Sequence, residues 1–385
     1  SKDDLDGCSD SYIQTLPKLK TKHGEKYKVT LAYPHIGPFL SEANNRDLRK
    51  ELSQKNSKKG GHINLEVLRK MIDERIKVSK ILGYKSYIDY KVEDRMAKNS
   101  KTVISFIDDL LTKTKDLAKF DITELKEFAK TLGIEDLGTY DLAYVQNKLK
   151  KSKYNINSEE LRKYFPLPHV LADMLSLASE MFAITFVEKK VKLWHKDVKM
   201  FEVFDNVDGE HVANLILDLY PRAGKYGHAA AFDTAYKGVK TITLVCNFRE
   251  PSNKSPSLMS IGEVETLYHE FGHALHFMLY RGKYDSQNGF HVAWDFVEAP
   301  SQMMENFVWN SKGLNRISCN YIDNSKLSKS QVKSILDSKK FMNGLFTVGQ
   351  LLNSKLDLSM HLGIKEAYNV HYNKLYKKYM GLEKG

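Results

Sequence analysis

Apolar residues fall at helical spacing through most of the first half of the chain. Between Leu68 and Leu193 they recur three and four apart at residues 103–117, 123–131, 142–151 and 169–187, which predicts a run of amphipathic helices. The longest apolar stretch, residues 181–187, is bounded by Glu180 and Glu188, far short of the ~20 residues that cross a bilayer. The period then changes. Residues 199–204, 213–219 and 241–248 are short apolar runs with β-branched members, punctuated by Asp208-Gly209, Pro221 and Gly238, and they predict a small sheet. Helical spacing returns with Val264, Leu267, Phe271, Leu275 and Met278.

The start of that last helix is legible in detail. Ser260 followed three residues later by Glu263 is a capping box, with Met259 and Val264 placed as a hydrophobic staple. Gly282 offers a stop. A second helical start is expected from Asp295 to Glu298, continuing through Met303, Met304, Phe307 and Val308, with Pro300 tolerated early.

The first of these helices carries His269-Glu270-Phe-Gly-His273. Histidines four apart share one helix face, so both imidazoles can reach one metal ion. Glu270 lies beside them, positioned to act on a water. Glu298 supplies the carboxylate that a catalytic zinc with three protein ligands and one open position requires. His276 shares the face, but it is seven positions from His269, about 10.5 Å along the axis, too far for both to hold one ion; it is expected to be a packed histidine. Gln302 and Glu305 fall on the face of Glu298, where they either hydrogen-bond the ligand histidines or simply face solvent.

Composition narrows the alternatives. A chain of 385 residues and 44.2 kDa can bury a large core and form two domains. The net charge of +11 raises nucleic-acid binding as a rival. Lysine-rich segments at 18–28 and 148–153 alternate with acids, and no phosphate loop or aromatic-basic motif accompanies them, so a solvated surface is the better reading. Cys8, Cys246 and Cys319 form no Cys-x-x-Cys pair, which fits a reduced, intracellular setting. Cytoplasmic localisation is expected, with an organelle as the alternative.

His269-Glu-Phe-Gly-His-Ala-Leu-His276, followed by Asp295-Phe-Val-Glu-Ala-Pro-Ser-Gln302, resembles the thimet oligopeptidase family of zinc metallopeptidases. The separation of first histidine and glutamate, 298 − 269 = 29, is similar to that family's spacing. Further similarity lies in Asp218-Leu-Tyr-Pro-Arg222, Gly224-Lys-Tyr-Gly-His-Ala229 and Leu244-Val-Cys-Asn-Phe248, and runs from about residue 140 to 310.

The resemblance implies one Zn2+ per chain on His269, His273 and Glu298, with Glu270 as general base. It implies a mainly α, zincin-like fold with a small β-sheet beside the active-site helix, and two helical domains flanking a channel. Residues 1–150 and a helical return at 336–385 would form one wall, and residues 151–335 the zinc-bearing wall. The backbone around Gly227, His228 and Ala229 is expected to bind substrate at the sheet edge, giving hydrolysis of internal bonds in short peptides. Short peptides are the expected partners of a monomer, without nucleic acid or membrane. Family members continue into a Gly-rich His/Tyr segment that stabilises the oxyanion, and nothing up to Gly385 matches it. The chain is therefore expected to be a fragment of a longer enzyme. A non-hydrolytic peptide-binding relative, or an inactive piece of such an enzyme, is the alternative.

Overall fold

One helix, Ser100–Thr131, replaces the two segments expected at residues 103–117 and 123–131. No glycine or proline interrupts residues 118–122, and Ala118, Asp121 and Ile122 continue the buried stripe between them. The computed structural model describes residues 1–22 and 24–382. The final three residues of the segment 336–385 lie outside the described residues.

The chain divides into two compact units, Ser1–Lys153 with Lys340–Gly385, and Tyr154–Lys339. In the first, Ser100–Thr131 packs on the helices Asn343–His361 and Tyr368–Met380. Leu111, Leu125, Ala129, Val348 and Leu352 form the middle of its core. Asp121 accepts a hydrogen bond from Leu345 N at 2.9 Å and so satisfies a first-turn donor of the facing helix. A short hairpin, β1 (Lys18–Thr21) and β2 (Gly24–Tyr27), lies on this unit's surface.

The second unit departs from expectation at its first helix. That helix spans Leu167–Phe182 rather than 169–187, and Ala183 turns left-handed at φ 52°. Ile184–Lys189 follows as strand β3. Ile184, Thr185 and Val187 are β-branched, and pairing with a neighbouring strand outweighs the helical reading of a short apolar run. The remaining strands are β4 (Lys199–Asp205), β5 (His211–Asp218), β6 (Ala230–Tyr236) and β7 (Val239–Val245).

Their order is β3-β4-β5-β7-β6, with β5 and β7 parallel and the other pairs antiparallel. Lys237 and Gly238, both at positive φ (51° and 76°), make the tight turn that joins β6 to β7. Phe201, Val203, Ala213, Leu215, Leu217, Ile242 and Leu244 alternate onto one face, against Val264, Leu267, Phe271 and Leu275 of the helix Ile261–Met278. Met200 and Ile216 point the other way, into a smaller cluster with Val198. The architecture is thus mainly helical, with one small mixed sheet beside the helix that carries the paired histidines. Among the described residues no helix is long and apolar enough to cross a membrane.

A polar knot closes the end of β5. Asp218 is buried, and its carboxylate receives Arg222 at 2.7 Å through both oxygens, Trp194 Nε1 at 2.9 Å and Lys225 Nζ at 2.9 Å. Burial alone would push this carboxyl up, but the donors outweigh it and hold the pKa at about 2, below the ordinary 3.8. A depressed carboxyl stabilises the fold above its unfolded pKa and loses that contribution as pH falls through the folded value. The stability gap between the natural chain and Asp218→Asn is expected to shrink by roughly 2 kcal/mol from pH 4 to pH 2. Denaturant titrations across that window check it, and a constant gap contradicts it.

Candidate metal centre

Local chemistry sets the helix Ile261–Met278. Ser260 Oγ accepts from Glu263 N at 3.2 Å, and Glu263 Oε2 accepts from Ser260 N at 2.7 Å. Arg162 holds the same carboxylate at 2.5 Å. Met259 and Val264 are both fully buried. The helix stops at Met278, with Leu279 N bonded to Leu275 O at 2.9 Å, so Gly282 lies beyond the stop it was expected to provide.

Tyr268 anchors the helix from beneath. It is fully buried, its hydroxyl donates to Asp173 Oδ2 at 3.0 Å, and Asp173 is paired with Arg316 at 2.6 Å. His269 and His273 share a different face of the helix, with ring planes 83° apart.

The carboxylate comes from a neighbouring helix, Ala299–Val308, which contacts Ile261–Met278 closely. The expected start at Asp295 is delayed: Glu298 occupies the cap position and Pro300 sits in the first turn, where its missing N–H is harmless. Gly272 makes this approach possible. A Cβ there would lie 2.6 Å from Ser301 Cα and 2.7 Å from Pro300 O. The buried Ser301 hydroxyl donates to Glu298 Oε2 at 2.7 Å and fixes its aim.

His269 Nε2 and His273 Nε2 each lie 3.2 Å from Glu298 Oε2, and the three donor atoms fall within 4.8 Å of one another. Donors around a tetrahedral zinc with bonds of about 2.1 Å sit ~3.4 Å apart, so this set matches the size of such an ion. The donor chemistry matches as well: two imidazoles and one carboxylate, with an exposed carboxylate side toward solvent. Burial pushes the His273 pKa down, only partly offset by Glu298, which favours the neutral ring a metal needs.

Glu305, one of the two polar candidates on the second helix, accepts from His269 Nδ1 at 2.8 Å. That bond commits the proton to Nδ1 and leaves the Nε2 lone pair facing Glu298. Glu305→Ala is expected to lower metal affinity by about 10- to 100-fold while leaving the fold intact, as competition with a calibrated chelator would measure; unchanged affinity contradicts it. Gln302, the other candidate, is exposed and touches the site only through its backbone N–H to Glu298 O at 3.0 Å. His276 packs edge-on to Phe296 with ring centroids 6.1 Å apart.

Glu270 is 8% exposed, on the helix that packs against β6. Burial pushes its carboxyl up and the Glu298 charge adds to this, against His269 and the Ala231 N–H. A carboxylate so raised is a stronger base than one in water. Gly227, His228 and Ala229 lie in the loop that enters β6. Asn247 Nδ2 donates to Tyr226 O and His228 O, at 3.0 Å each, and holds that loop in place.

Sequence reasoning did not find Ser301, Tyr268 or Gly272. Only Gly272 left a signal, as a small residue on the helix face turned toward the carboxylate-bearing helix.

Residues 39–385 match the sequence pattern described as Peptidase family M3. The chain is 32% identical over 389 residues to saccharolysin of Saccharomyces cerevisiae, covering 94% of this chain and 54% of that protein. It is 33% identical over 378 residues to oligopeptidase A of Haemophilus influenzae, covering 93% of this chain and 55% of the relative. Organellar oligopeptidase A, chloroplastic/mitochondrial, of Arabidopsis thaliana is 32% identical over 354 residues, 86% of this chain and 44% of the relative. The chain spans about half the length of the curated relatives it matches.

Proposed function

Because the chain belongs to peptidase family M3, we propose that it carries the catalytic centre of a zinc-dependent oligopeptidase that hydrolyses internal bonds of short peptides. One observation carries the reading: two imidazole Nε2 atoms and one carboxylate oxygen converge within 4.8 Å, with a buried glutamate next to the first histidine in sequence. The names of the relatives, saccharolysin and oligopeptidase A, agree with it.

His269, His273 and Glu298 would hold the ion, one per chain. Zinc bound there supplies Lewis acidity, polarising a carbonyl and lowering the pKa of a water toward about 7. Glu305 keeps His269 in the tautomer that presents Nε2. Glu270 takes a proton from the attacking water and returns it to the departing amine, so that one water is consumed for each peptide bond broken. β6, at the edge of the sheet, offers its backbone to an extended peptide, which gives binding with broad side-chain tolerance.

Metal analysis combined with a quenched fluorogenic peptide tests this. The expected result is about one zinc per chain, cleavage abolished by chelator and restored by zinc. Cleavage that ignores chelator, or a chain that never retains metal, contradicts it. Stoichiometric zinc with peptide binding but no cleavage would select the non-hydrolytic alternative.

A further inference from the structure

Among the described residues β6 pairs only with β7, so its other side is an outer edge of the sheet. The helix Ile261–Met278, which carries the proposed base Glu270, contacts β6 directly, and Ala231 of that strand packs on the core beside it. Strand side chains alternate, so Phe232 projects to the sheet face opposite Ala231. Ala231 packs on the core, and Phe232 is 39% exposed.

Two more rings extend in a row from Phe232. Tyr226, 51% exposed, meets it edge-on at 5.6 Å between centroids and 88° between planes. His228 lies 5.7 Å from the same tyrosine.

The loop bearing Tyr226 and His228 is unusually well tied. Lys225, buried to 3% of its side chain, donates to Asp218 O at 2.8 Å and to Tyr220 O and Cys246 O at 2.6 Å each. Asn247 bonds the carbonyls on either side of Gly227. A buried lysine spent on three carbonyls fixes the backbone, and the rings on it are therefore preorganised rather than mobile. Exposed aromatic area held rigidly next to an unpaired strand edge is suited to a ligand that brings both backbone and side chain.

The geometry points to an aromatic shelf, formed by Tyr226, His228 and Phe232, that receives one large apolar side chain of a peptide bound along β6. The inference rests on the oligopeptidase reading and adds a preference to it. A peptide pairing with the β6 edge turns every second side chain toward this face. The shelf therefore reads a single register, while the backbone bonds remain indifferent to sequence.

The test uses the zinc-supplied Glu270→Gln protein, so that turnover does not consume the probe. Labelled octapeptides of alanine, glycine and serine carry a single phenylalanine walked along their length, and binding is followed by anisotropy. One register is expected to bind about tenfold tighter than the rest. That advantage is expected to vanish in Tyr226→Ala/Phe232→Ala and to survive in Tyr226→Phe/Phe232→Leu, which keeps the apolar area. Both substituted side chains are solvent-exposed, so melting curves of the variants should overlay. Binding without register dependence, or a preference that persists in the double alanine variant, overturns the shelf and leaves the oligopeptidase reading standing. No binding of any peptide, together with no metal-dependent cleavage by the natural chain, overturns both.

Discussion

Glu270→Gln is expected to retain about one zinc per chain and to cleave peptides some 10²- to 10⁴-fold more slowly. The substitution is nearly isosteric, so the packing of this 8%-exposed side chain is preserved. None of the three convergent donors is touched. What the amide lacks is a basic oxygen. Its carboxylate parent is held by burial and by the Glu298 charge above the ordinary range, the direction that strengthens a base. Metal content by mass spectrometry and initial rates on a fluorogenic peptide separate the two effects. A variant that cleaves as fast as the natural chain removes Glu270 from the reaction. Loss of zinc along with activity would instead make Glu270 part of the metal-binding frame.

Gly272→Ala is expected to lower zinc affinity by about 10- to 100-fold although it alters no ligand. The added methyl would lie 2.6 Å from Ser301 Cα, 2.7 Å from Pro300 O and 3.0 Å from Pro300 C. All three are backbone atoms, so no side chain can swing aside. Ordinary carbon contacts need about 3.5 Å or more, and the helix Ala299–Val308 must withdraw. Glu298, Ser301 and Glu305 move with it. The centre then loses one donor's position, the hydroxyl that aims it and the acceptor that orients His269. Overpacking of this kind also costs about 1–3 kcal/mol of stability. Gly262, on the same helix, has nothing within 4 Å of its would-be Cβ, so Gly262→Ala serves as the control and should leave zinc binding unchanged. Equal zinc affinity in both variants would show that close packing of the two helices does not set the geometry of the centre.

The parts of the fold legible in sequence are those that local physics decides. The capping box at Ser260, the apolar stripe from Val264 to Met278 and the two-histidine spacing need only one helix to be recognised. The contribution of Glu305 could be narrowed to one face of a second helix, but its choice over Gln302 depended on the crossing of two helices, which periodicity does not encode. Residues 184–187, the end of the helix expected at 169–187, belong to strand β3; a short apolar run carries no period of its own, and only pairing with β4 reveals it as a strand. β6 was invisible for a related reason: Ala230 and Ala231 have little strand propensity, and a tight turn with β7 holds them in place. The anchor of the metal helix is less legible still, since Arg316 and Asp173 are 143 residues apart.

Metal-dependent hydrolysis by this chain requires that His269, His273 and Glu298 converge on one ion. Crystals of the zinc-supplied chain, measured on both sides of the zinc absorption edge, would test it directly. The expected result is one strong anomalous peak within about 2.3 Å of both Nε2 atoms and of a Glu298 carboxylate oxygen. A peak ligated by other residues, or one that leaves Glu298 unbound, would contradict it.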